Sequence, residues 1–287
     1  MNKTILVPTD FSKYADKALG YAIILAKKEK ASIILVHAFH VPYIGPDEAM
    51  YAYAYLQEDV MKEAAAKLDK LSVKIAEAKL PCKIINKQGA PVDMILDLIR
   101  IKKPMLVVMG TKGASGIKEK LMGSNTAKVA EKSTCPVIAV PEKTTVDSIT
   151  DITYATNYNT SDIAALKKIV EIGKALKASV TLLHCADGEF TQLCEIEYMN
   201  KFKKEVRKKI RYSKMKYKIE YGTDFITTLE KYIKKACPAI IAMSTHHRSS
   251  VFDKLFYPSE TKKMVYHTKV PLMVFHHKEK PIVSYYN

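Results

Sequence analysis

The sequence predicts an α/β protein of two tandem domains, each a five-stranded parallel sheet with helices on both faces. Three observations carry this expectation: the length, an internal repeat, and short apolar runs that alternate with amphipathic segments. A chain of 287 residues is enough for about two domains at ~100–200 residues each. A hydrophobic fraction of 48% is ordinary for a globular core and argues against a disordered chain. No run approaches the ~18 apolar residues of a membrane span.

The repeat sets the domain plan. Ile5–Ser12 recurs as Ile152–Asn159 and Ala31–His37 as Ala178–His184, both offset by 147. Gly89 matches Gly222 at offset 133, Leu106–Met109 matches Ile240–Met243 at 134, and Cys135–Val140 matches Val270–Phe275 at 135. The offset falls by 14 between the second and third matches, so the second copy lacks about one loop, around Phe39–Tyr53 of the first. A period this long is domain duplication, not a solenoid. The expected domains are 1–143 and 148–278, joined through the polar stretch Pro141–Asp147 and followed by a tail at 279–287.

Within the first copy, the runs 4–8, 33–38, 82–86, 105–109 and 137–140 are short and rich in Val and Ile, hence strand-like. Helical spacing links Asp16, Leu19, Ala22, Ile23 and Ala26, then Val60, Ala64, Leu68, Leu71 and Ile75, then Val92, Ile95, Leu96 and Ile99. A fourth helical pattern follows Gly123 through Val129. Ser12 suits the N-cap of the first helix and Pro91 the first turn of the third. Alternating strands and helices of this length give a parallel sheet, which binds ligands at the carboxyl ends of its strands.

After the fourth strand comes Gly110-Thr111-Lys112-Gly113-Ala114-Ser115-Gly116, continuing to Gly123-Ser124-Asn125-Thr126. Four of the ten glycines in the chain fall in these fourteen positions, 110–123. Glycine permits φ > 0 and close approach of a ligand to the backbone. Gly123-Ser124 opens a helix, whose first N–H groups favour an anion, and Ser124 and Thr126 add hydroxyl donors. Lys112, Lys118 and Lys120 against Glu119 leave the loop at +2. On composition alone, a phosphate cradle and a surface loop ending in a Ser cap weigh equally. GxxxxGK[ST], GxGxxG, the kinase motifs and the GxSxG elbow are absent.

The charge, 46 − 30 = +16, is spread evenly: 22 − 15 = +7 over the first 143 residues and 24 − 15 = +9 over the rest. It permits nucleic-acid contact, but a lysine-rich solvated surface is the default. In Lys201–Arg211, Phe202, Val206 and Ile210 are spaced by four, which describes an amphipathic helix with a basic outer face. The five cysteines form no CxxC pair and read as reduced structural thiols. The apolar stretch Thr4–Pro8 is too short for a signal peptide, so a cytoplasmic location is expected. His246-His247-Arg248 could hold another anion or a metal, although no third metal ligand is evident; His276-His277 reads as an exposed tail; and Tyr51, Tyr53 and Tyr55 of the extra loop could cover a nucleotide, with packing on a neighbour as the default.

Gly110-x2-Gly113-x9-Gly123-Ser124 resembles the nucleotide loop of universal stress proteins. Ile5–Ser12 resembles that family's opening strand, Leu35–Ala38 its second and Cys135–Val140 its closing one. The resemblance covers nearly the whole chain as two copies. It implies Rossmann-like domains of strand order 3-2-1-4-5 that bind ATP or another adenine nucleotide, ADP or AMP. It assigns Asp10, which follows Pro8 and Thr9 at the end of strand one, to the ribose, although a helix-capping role for Asp10 stays open. Ala38 matches the position whose backbone reads adenine, and Met109 and Gly110 the ribose and base wall. Gly113, Gly123, Ser124, Asn125 and Thr126 match the phosphate contacts. Lys112 sits where some relatives carry a basic side chain, with a solvated lysine as the alternative. Mg²⁺ would accompany the nucleotide, held indirectly through Asn125 or Thr126. Closing strands pair across dimers in the family, so strands 136–140 and 271–275 suggest an intramolecular pseudo-dimer, with homodimerisation and an unidentified protein partner also in view.

The second copy departs from the pattern. Ser244, His247 and Pro258 replace the motif glycines and Asn157 replaces Asp10, so only the first copy is expected to bind nucleotide. The leading function is a nucleotide-responsive stress-response module. A slow ATPase or phosphate-transferring enzyme is the alternative, lacking a visible nucleophile-activating pair. Nucleic-acid binding ranks third.

Overall fold

A computed structural model describes residues 3–40, 49–111, 123–144, 148–186, 188, 190–245 and 270–276. The chain divides into two compact units that part between Glu142 and Lys143. The first contains β1 (Thr4–Pro8), α1 (Lys13–Glu29), β2 (Ser32–Phe39), α2 (Ala49–Glu77), β3 (Cys82–Gln88), α3 (Pro91–Lys102), β4 (Leu106–Gly110), α4 (Ser124–Lys132) and β5 (Val137–Val140). Its strands are parallel in the order β3-β2-β1-β4-β5. Leu6 lies between Ile34 of β2 and Val107 of β4. Ile5, Leu6 and Val7 are all fully buried although successive strand residues face opposite sides, so helices cover both faces.

Helix boundaries follow local chemistry. The Ser12 side chain accepts from the Ala15 N–H and caps α1. Pro91 opens α3, where its missing N–H costs nothing. Lys30 and Lys103 end α1 and α3 in the left-handed region and return their N–H groups to Ala26 and Ile99.

The first copy's extra length is largely helix, not loop. α2 runs for 29 residues against 18 in its counterpart of the second unit and already begins at Ala49. Tyr51, Tyr53 and Tyr55 therefore lie on its first turns, and Tyr55 is 74% exposed instead of packed.

The second unit contains β6 (Asp151–Ala155), α5 (Asp162–Leu176), β7 (Ser179–Ala186), α6 (Gln192–Lys209), β8 (Met215–Tyr221), α7 (Phe225–Ala236), β9 (Ile240–Thr245) and β10 (Leu272–His276). The parallel order is β8-β7-β6-β9-β10, so each unit has the expected 3-2-1-4-5 topology. Pairing Thr4 with Ser32 and Asp151 with Ser179 repeats the register at the sequence offset of 147. Phe202, Val206 and Ile210 are buried, as their spacing in α6 requires. His276 closes β10 instead of starting a tail. Among the described residues, no helix is long and apolar enough to cross a membrane.

Candidate functional site

At the carboxyl end of β1 the chain turns into α1 through a run of hydrogen bonds to its own side chains. Thr9 N–H donates to Val36 O at 2.8 Å, extending the sheet by one step. Thr9 Oγ1 then accepts from Phe11 N–H at 3.1 Å, Asp10 Oδ1 from Ser12 N–H at 3.1 Å, and Ser12 Oγ from Ala15 N–H at 3.2 Å. Phe11 takes φ of 61° to make the turn. Its ring lies 4.3 Å from that of His37, whose Nδ1 bonds Thr9 O at 2.8 Å and therefore carries the proton. The Asp10 carboxylate thus shapes the turn and stands exposed at its rim.

The carboxyl end of β4 approaches the same turn. A Cβ on Gly110 would lie 2.7 Å from the Tyr14 carbonyl carbon and 2.8 Å from its oxygen, so only glycine lets β4 pass α1 here. Gly110 O accepts from the Thr126 hydroxyl at 2.9 Å, which ties the first turn of α4 to β4. The Thr126 hydroxyl, expected as a ligand donor, is therefore committed to the backbone and buried. Gly123 occupies the N-cap of α4 and makes no side-chain cap, so the first-turn N–H groups of Ser124, Asn125 and Thr126 are left to other acceptors.

These ends enclose a cleft of about 130 Å³. Pro8, Thr9, Asp10, Ala38, Met109, Gly110, Gly123, Ser124, Asn125 and Thr126 all line it. Of the residues singled out in the sequence, Lys112 and Gly113 fall outside the described residues. The lining also includes Ala15, Val36, Pro91, Met94 and Ile95, which the motifs did not mark. Ile95 was legible as part of an apolar helical face, but nothing local shows that the start of α3 borders the same cleft as the ends of β1 and β2.

The second unit repeats the turn and sets a polar network behind it. Thr156 N–H donates to Leu183 O, Tyr158 N–H donates to Thr156 Oγ1, and His184 Nδ1 bonds Thr156 O, each at 2.9 Å. Tyr158 has φ of 60° and its ring stacks 4.2 Å from His184. At the 147 offset, however, Tyr154 stands for Val7 and Asp162 for Ala15, and at 134 Ser244 stands for Gly110. The Tyr154 hydroxyl donates to Asp162 Oδ1 at 2.7 Å and meets Ser244 Oγ at 2.6 Å, while Thr156 Oγ1 donates to Asp162 Oδ2 at 2.6 Å. Asp162 is 3% exposed, so an anion entering this place would meet a fixed carboxylate. Burial, and then the Asp162 charge, push the Tyr154 phenol well above its usual 10.0. His246, His247, Arg248 and Pro258 lie outside the described residues.

The universal stress protein family profile matches residues 1–141. The universal stress protein YxiE of Bacillus subtilis is 32% identical over 148 residues, covering 49% of this chain and 99% of that protein. The chain belongs to the universal stress protein family. A second universal stress protein, from Thermus aquaticus, is 34% identical over 145 residues and is likewise covered over 99% of its length by 49% of this chain. This universal stress protein is thus about twice the size of its single-domain relatives. The crystal structure of a universal stress protein from Archaeoglobus fulgidus matches 95% of this chain and 96% of its own, with a TM-score of 0.70. At 18% identity that likeness is one of fold.

Proposed function

We propose that the first unit of this universal stress protein binds ATP or another adenine nucleotide and serves as a nucleotide-responsive binding module in the cytoplasm. One observation carries the reading: ten residues scattered over four stretches of sequence line one cleft at the carboxyl ends of β1, β2 and β4, beside the start of α4. That is where a parallel sheet of this order places ligands. The donor set suits a nucleotide. The exposed Asp10 carboxylate would accept from two vicinal ribose hydroxyls. Ala38 would offer backbone groups to the adenine edge, with Met109 and Gly110 forming the wall. Gly123 keeps the α4 N-terminus clear of a side-chain cap, so first-turn N–H groups and the helix dipole would hold phosphate oxygens. Gly113 and Lys112 fall in the same stretch of sequence between β4 and α4. Mg²⁺ would enter with the phosphates and be met by Asn125, since the Thr126 hydroxyl serves Gly110. Phosphate held at the end of β4 and the start of α4 would then alter a surface read by a protein partner.

Slow hydrolysis is the second reading. Asp10 is the one carboxylate in the described cleft lining, and the ribose claims it, which favours binding over catalysis. Thermal unfolding with ATP and AMP tests the proposal, with stabilisation of ~2.7 kcal/mol expected at a hundredfold excess over Kd. Gly123→Pro should abolish the AMP response, because it removes the N–H that Gly123 donates to Thr111 O and so displaces the helix start. No stabilisation by any adenine nucleotide overturns the proposal. Phosphate release that survives Gly123→Pro unchanged would belong to a contaminant.

A further inference from the structure

The opposite end of the first sheet holds a second hollow that the nucleotide reading does not use. It measures about 720 Å³ and is formed where β1 and β2 begin, where α1 ends, and at the turn from α2 into β3. Lys3, Lys27, Lys30, Lys79 and Lys83 line it, and no carboxylate is among the lining residues. Lys3 is paired at 2.5 Å with the buried Glu29, which leaves the hollow at 5 − 1 = +4. Among the described residues, no carboxylate pairs with the other four lysines.

The lysine side chains are not needed to satisfy the last helix carbonyls, which backbone N–H groups meet. Ala26 O receives the N–H groups of Lys30 and Ala31, Ala76 O that of Lys79, and Ile75 O that of Leu80. The second unit shows what this corner looks like when it is closed. Register pairs Ile33 with Cys82 and Val180 with Met215, so Tyr212 stands for Lys79 and Lys214 for Pro81. There the Tyr212 hydroxyl bonds Gly173 O and Ala178 O, and Lys214 Nζ donates to Lys177 O at 2.8 Å. A ring and a lysine spent on the backbone occupy the second corner, whereas the first stays open and cationic.

We infer that this lysine-lined hollow of the first unit is a binding site for a small molecule carrying several phosphate groups. Like charges around a concave surface focus the field on a polyvalent anion. Ammonium groups act as point charges suited to phosphate oxygens without demanding planar geometry. The lining has no aromatic ring on which a base would stack, which disfavours nucleic acid. The volume lies within the ~300–1,000 Å³ of small-ligand sites.

Calorimetry on the full chain tests this with inorganic tripolyphosphate and, separately, a hexose bisphosphate. The tighter of the two identifies the source of the phosphates. Expected is saturable one-to-one binding that weakens as salt rises and falls about tenfold or more in Lys30→Gln/Lys79→Gln. Lys83→Gln, on the exposed edge strand, should weaken it to a smaller degree, and Gly123→Pro should leave it intact. Thermal melts of each variant verify the fold. The inference fails if tripolyphosphate does not bind, if binding is lost in Gly123→Pro but kept in the lysine variant, or if sulfate at equal charge competes as well. It also fails if a single-stranded oligonucleotide binds the same lysines more tightly. Because Gly123→Pro abolishes only the nucleotide response, failure here and failure of the nucleotide proposal are read separately.

Discussion

Gly110→Ala should uncouple the end of β4 from the start of α1. The added Cβ would stand 2.7 Å from the Tyr14 carbonyl carbon and 2.8 Å from both the Tyr14 Cβ and its carbonyl oxygen. Favourable carbon contacts begin near ~3.5 Å, so the two elements must part by about 0.8 Å. The obstructing atoms belong mostly to backbone, so no rotamer change relieves the clash. Overpacking of this kind costs ~1–3 kcal/mol. At roughly 4 °C per kcal/mol for a domain of this size, the first unit should melt ~4–12 °C lower. The displacement also moves the Asp10–Ala15 turn relative to Met109 and Thr126, which line the same cleft. ATP-induced stabilisation should therefore shrink along with the melting temperature. Urea unfolding followed by circular dichroism gives the first quantity, and thermal unfolding with and without ATP the second. A variant within about 0.5 kcal/mol of the parent, with an unchanged ATP response, would refute the close-approach reasoning for Gly110.

Other outcomes follow from the second unit. Asp162→Ala removes the acceptor of two buried hydroxyls, Tyr154 and Thr156, and should cost ~2–4 kcal/mol in urea unfolding without creating a nucleotide response. Thiol titration of the native protein at pH 8 should label the exposed Cys82 and Cys237, whereas Cys185, its pKa pushed to about 12 by burial and then by Glu220, should react only on unfolding. The raised Cys185 and Tyr154 values also fix the sign of the alkaline pH dependence. Above the ordinary thiol value of 9.0 the unfolded chain releases protons that the folded chain retains, so stability is whole below pH 9 and declines as pH rises toward 12. Cys185→Ser should flatten that decline, and an unchanged slope would show that Cys185 does not contribute.

Much of this was readable in the chain. Ile5–Pro8 and Leu106–Met109 read as buried strands because two-sided burial leaves unbroken apolar runs. The Ser12 cap and the Pro91 helix start were legible because both depend on chemistry within one turn. The glycine pattern at 110–123 was legible in the chain, and its two described ends, Gly110 and Gly123, stand at the carboxyl end of β4 and at the N-cap of α4. The start of α2 was missed because the apolar period counted there begins only at Val60, whereas the helix continues back through the Ala- and Tyr-rich segment from Ala49. The role of Thr126 was misjudged because a hydroxyl at a helix start looks the same in sequence whether it faces a ligand or the carbonyl of Gly110.

The residue order alone determined the duplication, the strand and helix alternation and the loss of motif glycines in the second copy, since each rests on spacing and on the conformational limits of single residues. Tertiary structure alone decided that Ala15 and Met94 complete the first cleft, that Asp162 gathers Tyr154 and Thr156 around the corresponding place in the second unit, and that five lysines surround one hollow. The physical reason is that crossover helices carry residues distant in sequence to one strand end, and packing, which depends on the shape of every neighbour, sets whether a cavity stays open there or is filled.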